Sequence, residues 1–332
     1  MHDRLKQRLL NYMCIFFTLM CFGKLYLRDD SKVNDHQHLV GDSWSLNEHE
    51  IQTNLDKEYN RLRRNHAAKK PAGNVNSEDD EDDGVDYGAH KLAIIVPYRN
   101  RFEELKDFVP HMKKYLKEKK IRNHIYIINQ ADNHRFNRAS LINVGHTIAY
   151  NDKCDYMAMH DVDLLPLNKQ LNYGYPELGP FHVAGPNLHP KYHYEKFVGG
   201  ILILTMTQFN ELNGMSNKFW GWGREDDEFY MRMVDSNYKI FRHGSEITTG
   251  YNTFKHEHSV ERKRDYAKLP GQKKSMFSRD HDTGLSTLVY NQKKRSEFTI
   301  DGYPCTVIDV ELECDKNLTP WCDVPPAKKK RF

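Results

Sequence analysis

The sequence carries almost no excess charge of either sign: 49 Lys and Arg stand against 46 Asp and Glu, a net of +3. So small a balance leaves no electrostatic footprint for a nucleic-acid partner, and no RNA-binding signature or basic repeat is present. The short tail Lys328-Lys329-Lys330-Arg331 reads as a solvated terminus. A Gly-rich phosphate loop is also missing. The six cysteines include no Cys-x-x-Cys pair, which argues against a zinc ribbon. Cys14 and Cys21 lie in the N-terminal apolar stretch, whereas Cys154, Cys305, Cys314 and Cys322 lie in the body. In an oxidising compartment those four have three possible pairings, and free buried thiols are the other reading.

Long apolar runs are scarce, and the one candidate is N-terminal. Leu9 to Phe22 reads LLNYMCIFFTLMCF, and Leu25-Tyr26-Leu27 resumes it after Gly23-Lys24. With a snorkelling Lys24 the stretch reaches the ~20 residues of a membrane span. Bulky Met20, Phe22 and Leu25 fill the exit where a cleaved signal peptide needs small residues. Arg4, Lys6 and Arg8 precede the run, so the positive-inside rule keeps them in the cytosol. The expected organisation is a cytoplasmic tail (1–8), a signal anchor (9–27), a stem (28–89) and a luminal catalytic domain (90–332). The stem is polar and contains the acidic run Ser77 to Asp83, which cannot bury enough surface to offset chain entropy.

From Lys91 the pattern becomes regular. Leu92-Ala93-Ile94-Ile95-Val96 is a short continuous apolar run ended by Pro97, as expected of a strand covered on both faces. Residues 102–120 predict a helical region bent or interrupted near Pro110. A second strand over 124–128, a helix over 137–150 and a third strand over 156–159 follow. This β-α-β-α-β order predicts a mostly parallel sheet with helices on both sides. In such sheets ligands gather beyond the carboxyl ends of the strands. Here those ends carry Pro97-Tyr98-Arg99-Asn100-Arg101, Asn129-Gln130-Ala131-Asp132 and Asp161-Val162-Asp163.

If extended, Asp161 and Asp163 share one side and could together meet a cation such as Mn²⁺ or Mg²⁺ holding a diphosphate. Arg99 and Arg101 repeat that spacing and suit phosphate or a nucleotide. His256-Glu257-His258 adds an imidazole pair, which favours Mn²⁺, Fe²⁺ or Zn²⁺ over Mg²⁺. An Asp/His/His set also serves iron oxygenases, but those need no nucleotide site. In Phe219-Trp220-Gly221-Trp222-Gly223-Arg224-Glu225-Asp226-Asp227-Glu228, glycines frame an aromatic loop able to stack on a sugar. The acids start a helix, where they also suit the dipole. One of them facing a cleft is positioned to accept a proton from a hydroxyl.

The ordered blocks VPYRNR (96–101), INQADNHRFNRASLINVG (128–145), HDVDLLP (160–166), FVGGIL (197–202) and FWGWGREDDEFY (219–230) resemble the β-1,4-galactosyltransferase family over roughly residues 90–325. The resemblance implies a GT-A-type Rossmann-like α/β fold with a mostly parallel central sheet. It further implies an inverting enzyme that uses Mn²⁺ and moves galactose from UDP-α-galactose to a 4-hydroxyl. Carried over, it makes Asp226 the base, with Trp222, Glu225 and Asp227 around the acceptor. Pro97, Arg99, Arg101, Phe136, Arg138, Asp161, Val162, Asp163 and Trp222 fall at nucleotide-sugar positions. Asp163 falls at a metal position. His256 and His258, Arg224, and the tract 188–194 with Tyr192 and Tyr194 resemble the branch that acts on xylosylated protein. That branch implies metal binding by both histidines and a small aromatic xylose pocket formed by Tyr192, Tyr194, Trp222 and Arg224. It also implies a proteoglycan core-protein acceptor and a Golgi membrane location. Acceptors with N-acetylglucosamine, or a non-catalytic lectin of the same fold, are the alternatives.

Overall fold

A computed structural model of the chain describes residues 85–244, 247, 253–256 and 262–323. The predicted tail, anchor and nearly all of the stem lie outside the described residues, as does His258. No helix among the described residues is long and apolar enough to cross a membrane.

The central sheet is built outward from β1 (Leu92–Tyr98), β2 (Asn123–Gln130) and β3 (Tyr156–His160). Strand β1 pairs in parallel with both others, Ile94 lying opposite Ile125 and Ala158. Alternate residues of β1 enter different cores. Leu92, Ile94 and Val96 pack on one side, Ala93 and Ile95 on the other. That two-sided burial is why the strand is a continuous apolar run and not an alternating one. Helix α1 (Phe102–Glu118) covers the first side through Phe108, Val109 and Met112. Helix α2 (Arg138–Asn151) covers the second through Leu141, Ile142 and Val144. The expected interruption at Pro110 does not occur. Pro110 lies inside α1 and is buried, so packing holds a segment in which proline removes a backbone bond.

Eight strands complete the sheet in the order β7-β5-β6-β3-β1-β2-β10-β9. The sheet is mixed. Its three central pairings and β5 (Phe181–His182) with β7 (Phe241–Arg242) are parallel. By contrast β6 (Ile201–Thr205) runs antiparallel to β3, and β9 (Tyr290–Ile300) antiparallel to β10 (Tyr303–Leu312). A separate ribbon joins β4 (Leu164–Pro166) to β8 (Phe254–His256). Helix α3 (Met206–Glu211) follows β6 through a capping box at Thr205 and Gln208. Helices α4 (Glu225–Asp235) and α5 (Gln272–Met276) come later. Of the four body cysteines, Cys314 and Cys322 form a disulfide, while Cys154 and Cys305 are buried free thiols.

Helix α2 lies close on the sheet at Gly145. A Cβ there would lie 2.4 Å from Ile95 Cγ2 and 3.1 Å from Ile128 Cγ1. Both neighbours are fully buried and have nowhere to move. Gly145→Val is therefore expected to cost about 1–3 kcal/mol through overpacking. The check is a fall in the urea midpoint; an unchanged midpoint would mean that α2 does not lie this close to β1 and β2.

Candidate active site

The Asp-Val-Asp triplet sits where predicted, immediately after β3, but it is not extended. The Asp161 carbonyl accepts the Leu164 amide at 3.3 Å, which closes a turn, and the Asp161 amide donates to the Gly200 carbonyl at 3.0 Å. Pleat alternation therefore does not orient the two carboxylates; the turn does. Asp161 is claimed by Arg138, the first residue of α2, whose Nε donates to Oδ1 at 2.8 Å. Asn137 caps that helix by accepting the Ser140 amide, which fixes where Arg138 emerges. Burial works against the Arg138 charge, but Asp161, then Glu225 and Asp226, more than offset it and raise its pKa. Its Nη1 is buried without a hydrogen-bond partner, a donor still to be used.

Three acids, Glu225, Asp226 and Asp227, open α4, and two of them, Glu225 and Asp226, act electrostatically on Arg138. The preceding turn needs left-handed backbone at Gly221 (φ +82°), Gly223 (φ +106°) and Arg224 (φ +76°). Two of these three positions are glycine for that reason. Each acid keeps some solvent contact, yet burial, then Glu225 and Asp227, push the Asp226 carboxyl up to about 7. The helix N-terminus favours its charged form, so desolvation and like charge have won. Burial likewise raises Glu225, whose Oε2 has no hydrogen-bond partner. Gly199 makes room for this group: a Cβ there would fall 2.8 Å from Asp226 Oδ2.

Predicted acceptor residues come together here. The Tyr194 hydroxyl donates to Asp227 Oδ1 at 3.0 Å, and Arg224 Nη1 lies 3.5 Å from Asp227 Oδ2. Arg224 also stacks on Phe277, 4.1 Å from the ring centroid. Tyr192 packs against Phe197 and His189, with centroids 5.1 and 5.0 Å apart. Trp222, three residues before the first of these acids, is 40% exposed and packs edge-on against Tyr266, with ring centroids 4.9 Å apart. The Arg264 guanidinium lies 5.0 Å from Trp222 and 5.7 Å from Tyr192, bridging the two aromatic walls.

His256 is placed by strand pairing. In the β4–β8 ribbon Leu164 stands opposite His256, so the pairing sets this histidine across from the residue that follows Asp163. A hard carboxylate with an imidazole fits Mn²⁺. Its expected third partner, His258, lies outside the described residues. One other cluster, His134, Cys322 and Asp323, has metal-like spacing, but Cys322 is locked in the disulfide and offers no thiolate.

The nucleotide-side residues divide differently from their spacing. Arg99 donates to the carbonyls of Gln130, His134 and Asp132, and so holds the loop that leads to Phe136. Its guanidinium is 5.9 Å from the Phe136 ring centroid. Arg101 instead donates to Glu104, which also takes two bonds from Arg262. The two arginines thus face different partners. Pro97 and Val162 are buried behind this rim. A cavity of about 380 Å³ is lined by Ser140, Lys218, Trp220 and Thr319 among others, and by none of Glu225, Asp226 and Asp227; the chemistry lies elsewhere.

Sequence reasoning missed His189, Gly199 and Arg264. His189 Nδ1 accepts the amides of Lys191 and Tyr192, each at 3.0 Å, and so shapes the tyrosine loop. Burial, then His256, lower its pKa to about 4, matching a neutral acceptor ring. His189 lies in the tract 188–194 and Gly199 in FVGGIL, but neither pattern shows what the residue does there.

Comparison with known proteins agrees with this geometry. Residues 48–175 match a family profile described as the N-terminal region of glycosyl transferase group 7, and residues 179–257 one described as the N-terminal domain of galactosyltransferase. Human β-1,4-galactosyltransferase 7 is 54% identical over 242 residues, 73% of each chain. The xylosylprotein 4-β-galactosyltransferase of Caenorhabditis elegans is 51% identical over 70% of this chain and 82% of its own. A crystal structure of a mutant Drosophila β-1,4-galactosyltransferase 7, in complex with manganese, UDP-Gal and xylobiose, superposes with a TM-score of 0.69 at 52% identity. It covers 71% of this chain and 100% of its own. The chain belongs to the β-1,4-galactosyltransferase family, alongside its galactosyltransferase 7 members.

Proposed function

We propose that the chain transfers galactose from UDP-α-galactose to O4 of a xylose acceptor, with inversion, using Mn²⁺. The observation that carries this is the Asp226 carboxyl: raised to about 7 beside Glu225, Asp227 and Arg138, with Tyr194 bonded to the neighbouring Asp227. A base must lose its proton near the working pH yet remain basic, and burial among like charges does this. Asp226 takes the proton from O4 as O4 bonds to galactose C1. The C1–oxygen bond to the diphosphate breaks, and UDP leaves with that electron pair. Asp163 and His256, with His258 from the sequence pattern, would hold the Mn²⁺, which would neutralise the departing diphosphate. Arg138 faces the same region with an unused donor, suited to an oxygen of the nucleotide sugar. Tyr194 and Arg224 meet at Asp227, and Arg264 links Tyr192 to Trp222, so these residues would form an aromatic acceptor site. It suits xylose, which lacks the bulk of a hydroxymethyl or N-acetyl group. The relatives' names, and a relative's complex with xylobiose, support the same acceptor.

The acceptor in the cell is a xylosylated proteoglycan core protein, which places the reaction in assembly of the glycosaminoglycan linker. The basic-then-apolar N-terminus supports a single-pass type II protein of the Golgi membrane with this domain in the lumen.

Asp226→Asn is expected to lower kcat at least about a hundredfold while UDP affinity changes little, measured by xyloside turnover and calorimetry with UDP; comparable turnover would remove Asp226 from the mechanism. In the parent, kcat/KM should fall as pH drops through about 7, about tenfold per unit, and a flat profile from pH 5 to 8 would count against this base. The same shift has a stability sign. Because burial raises the folded-state pKa above the unfolded value of about 4, the parent loses stability as pH rises from there to about 7. Asp226→Asn should therefore gain in Tm over the parent across that window; an equal Tm difference at both ends would contradict it. His256→Ala should weaken Mn²⁺ activation by about ten- to a hundredfold, and an unmoved titration would detach it from the metal. Equal turnover on N-acetylglucosaminides would replace xylose as the acceptor.

A further inference from the structure

Arg135 is 2% exposed and has no part in the chemistry above, yet it bonds to two distant segments, 265–272 and 321–322. Its Nε donates to Asp265 Oδ2 at 2.5 Å, and Nη2 to the Ala267 carbonyl at 2.8 Å. Nη1 is shared between Gln272 Oε1 at 2.8 Å and the Trp321 carbonyl at 3.1 Å. Its own amide donates to the Cys322 carbonyl at 2.7 Å. A guanidinium is suited to this, because its planar donors can serve several acceptors at once.

Three of those acceptors, Asp265, Ala267 and Gln272, lie on one strap, and the strap in turn holds the aromatic turn. The Trp222 amide donates to the Asp265 carbonyl at 3.1 Å. Lys268 Nζ donates to the Trp222 carbonyl at 3.1 Å, and Gln272 Nε2 to the Trp220 carbonyl at 2.9 Å. The guanidinium also lies directly against the turn: a Cβ on Gly221 would fall 2.1 Å from Nη2. Next in the chain, the Phe136 carbonyl accepts the Gly221 amide at 2.8 Å. The backbone of the turn is therefore tied on both sides of Trp222 to groups that Arg135 gathers.

We infer that Arg135 is a positioning residue for galactosyl transfer, locking strap 265–272 onto the aromatic turn and so fixing where Trp222 meets the acceptor. This inference rests on the xylose-transfer reading. Misplacement of a positioning group by about 1 Å is enough for large losses of rate. A role confined to fold stability would weaken donor and acceptor binding together; a positioning role separates them.

The test compares Arg135→Gln, Arg135→Lys and Asp265→Asn with the parent. Arg135→Gln is expected to raise the xyloside KM about tenfold and to lower kcat, with Mn²⁺-supported UDP affinity within roughly twofold. Trypsin cleavage after Arg264 or Lys268, mapped by mass spectrometry, should speed up about tenfold as the strap opens. Arg135→Lys, keeping the charge but losing the fork, should fall between the two. Should Arg135→Gln fail to fold, Asp265→Asn carries the same test, because its side chain is 37% exposed and its loss leaves the other bonds of Arg135 in place. An acceptor KM and cleavage rate within twofold of the parent, or equal losses of UDP and acceptor affinity, would overturn the inference. Cleavage needs no substrate, so it decides this point even if the parent proves inactive on xylosides, a result that would sink the transfer reading instead.

Discussion

The ion pair between Arg138 and Asp161 organises the active region. It bridges the start of α2 and the end of β3, across the carboxyl-end crevice where open α/β sheets bind ligands. Arg138 also faces Glu225 and Asp226 electrostatically. A buried guanidinium without such neighbours would be costly, and so would three acids without a cation. Each therefore makes the other tolerable, and the residual imbalance leaves Asp226 poised near neutrality. The cation keeps an unpaired donor, and Glu225 an unpaired acceptor. Such unmet polar capacity in a buried site is what a polar ligand satisfies.

Glycines set the distances around this pair. Gly199 lets Asp226 come alongside the β6 entrance, Gly221 lets Arg135 lie beneath the aromatic turn, and Gly145 seats α2 on the sheet. In each case the neighbour a side chain would strike is a charged group of the site or a buried core residue. Much of the site's geometry is thus written in positions that carry no functional group; the motif blocks contain all three glycines, but not the neighbours that make each one necessary.

The arginines show the same division between chemistry and support. Arg99, Arg135 and Arg232 direct their forks largely at main-chain carbonyls: those of 130–134, of 267 and 321, and of 212–214, 280 and 283. They hold loops in place of hydrogen-bonded secondary structure. Arg138 and Arg264 instead face the acids and the aromatic walls. Residue type alone could not separate the two sets.

The three core strands, their helices and the position of Asp161-Val162-Asp163 were legible in the sequence, because two-sided burial leaves continuous apolar runs and a polar break where the strand leaves the core. A framed Trp-Gly-Trp-Gly before a row of acids marked the segment as unusual, but the choice of Asp226 among those acids came only from the family resemblance. The antiparallel entry of β6 was not legible, because its apolar run reads the same in either direction. Neither was the turn at Asp161, which follows from backbone bonds to Gly200 and Leu164 and overrides the pleat. The pairing of Cys314 with Cys322 also waited on the fold, as did the split between Arg99 and Arg101. These depend on contacts between residues far apart in the chain, or on backbone direction, which no local spacing encodes. The sequence by itself determined which groups are present and which strands carry them. The tertiary structure decided which are charged, which are paired and which face the substrate, because burial and distance set those energies.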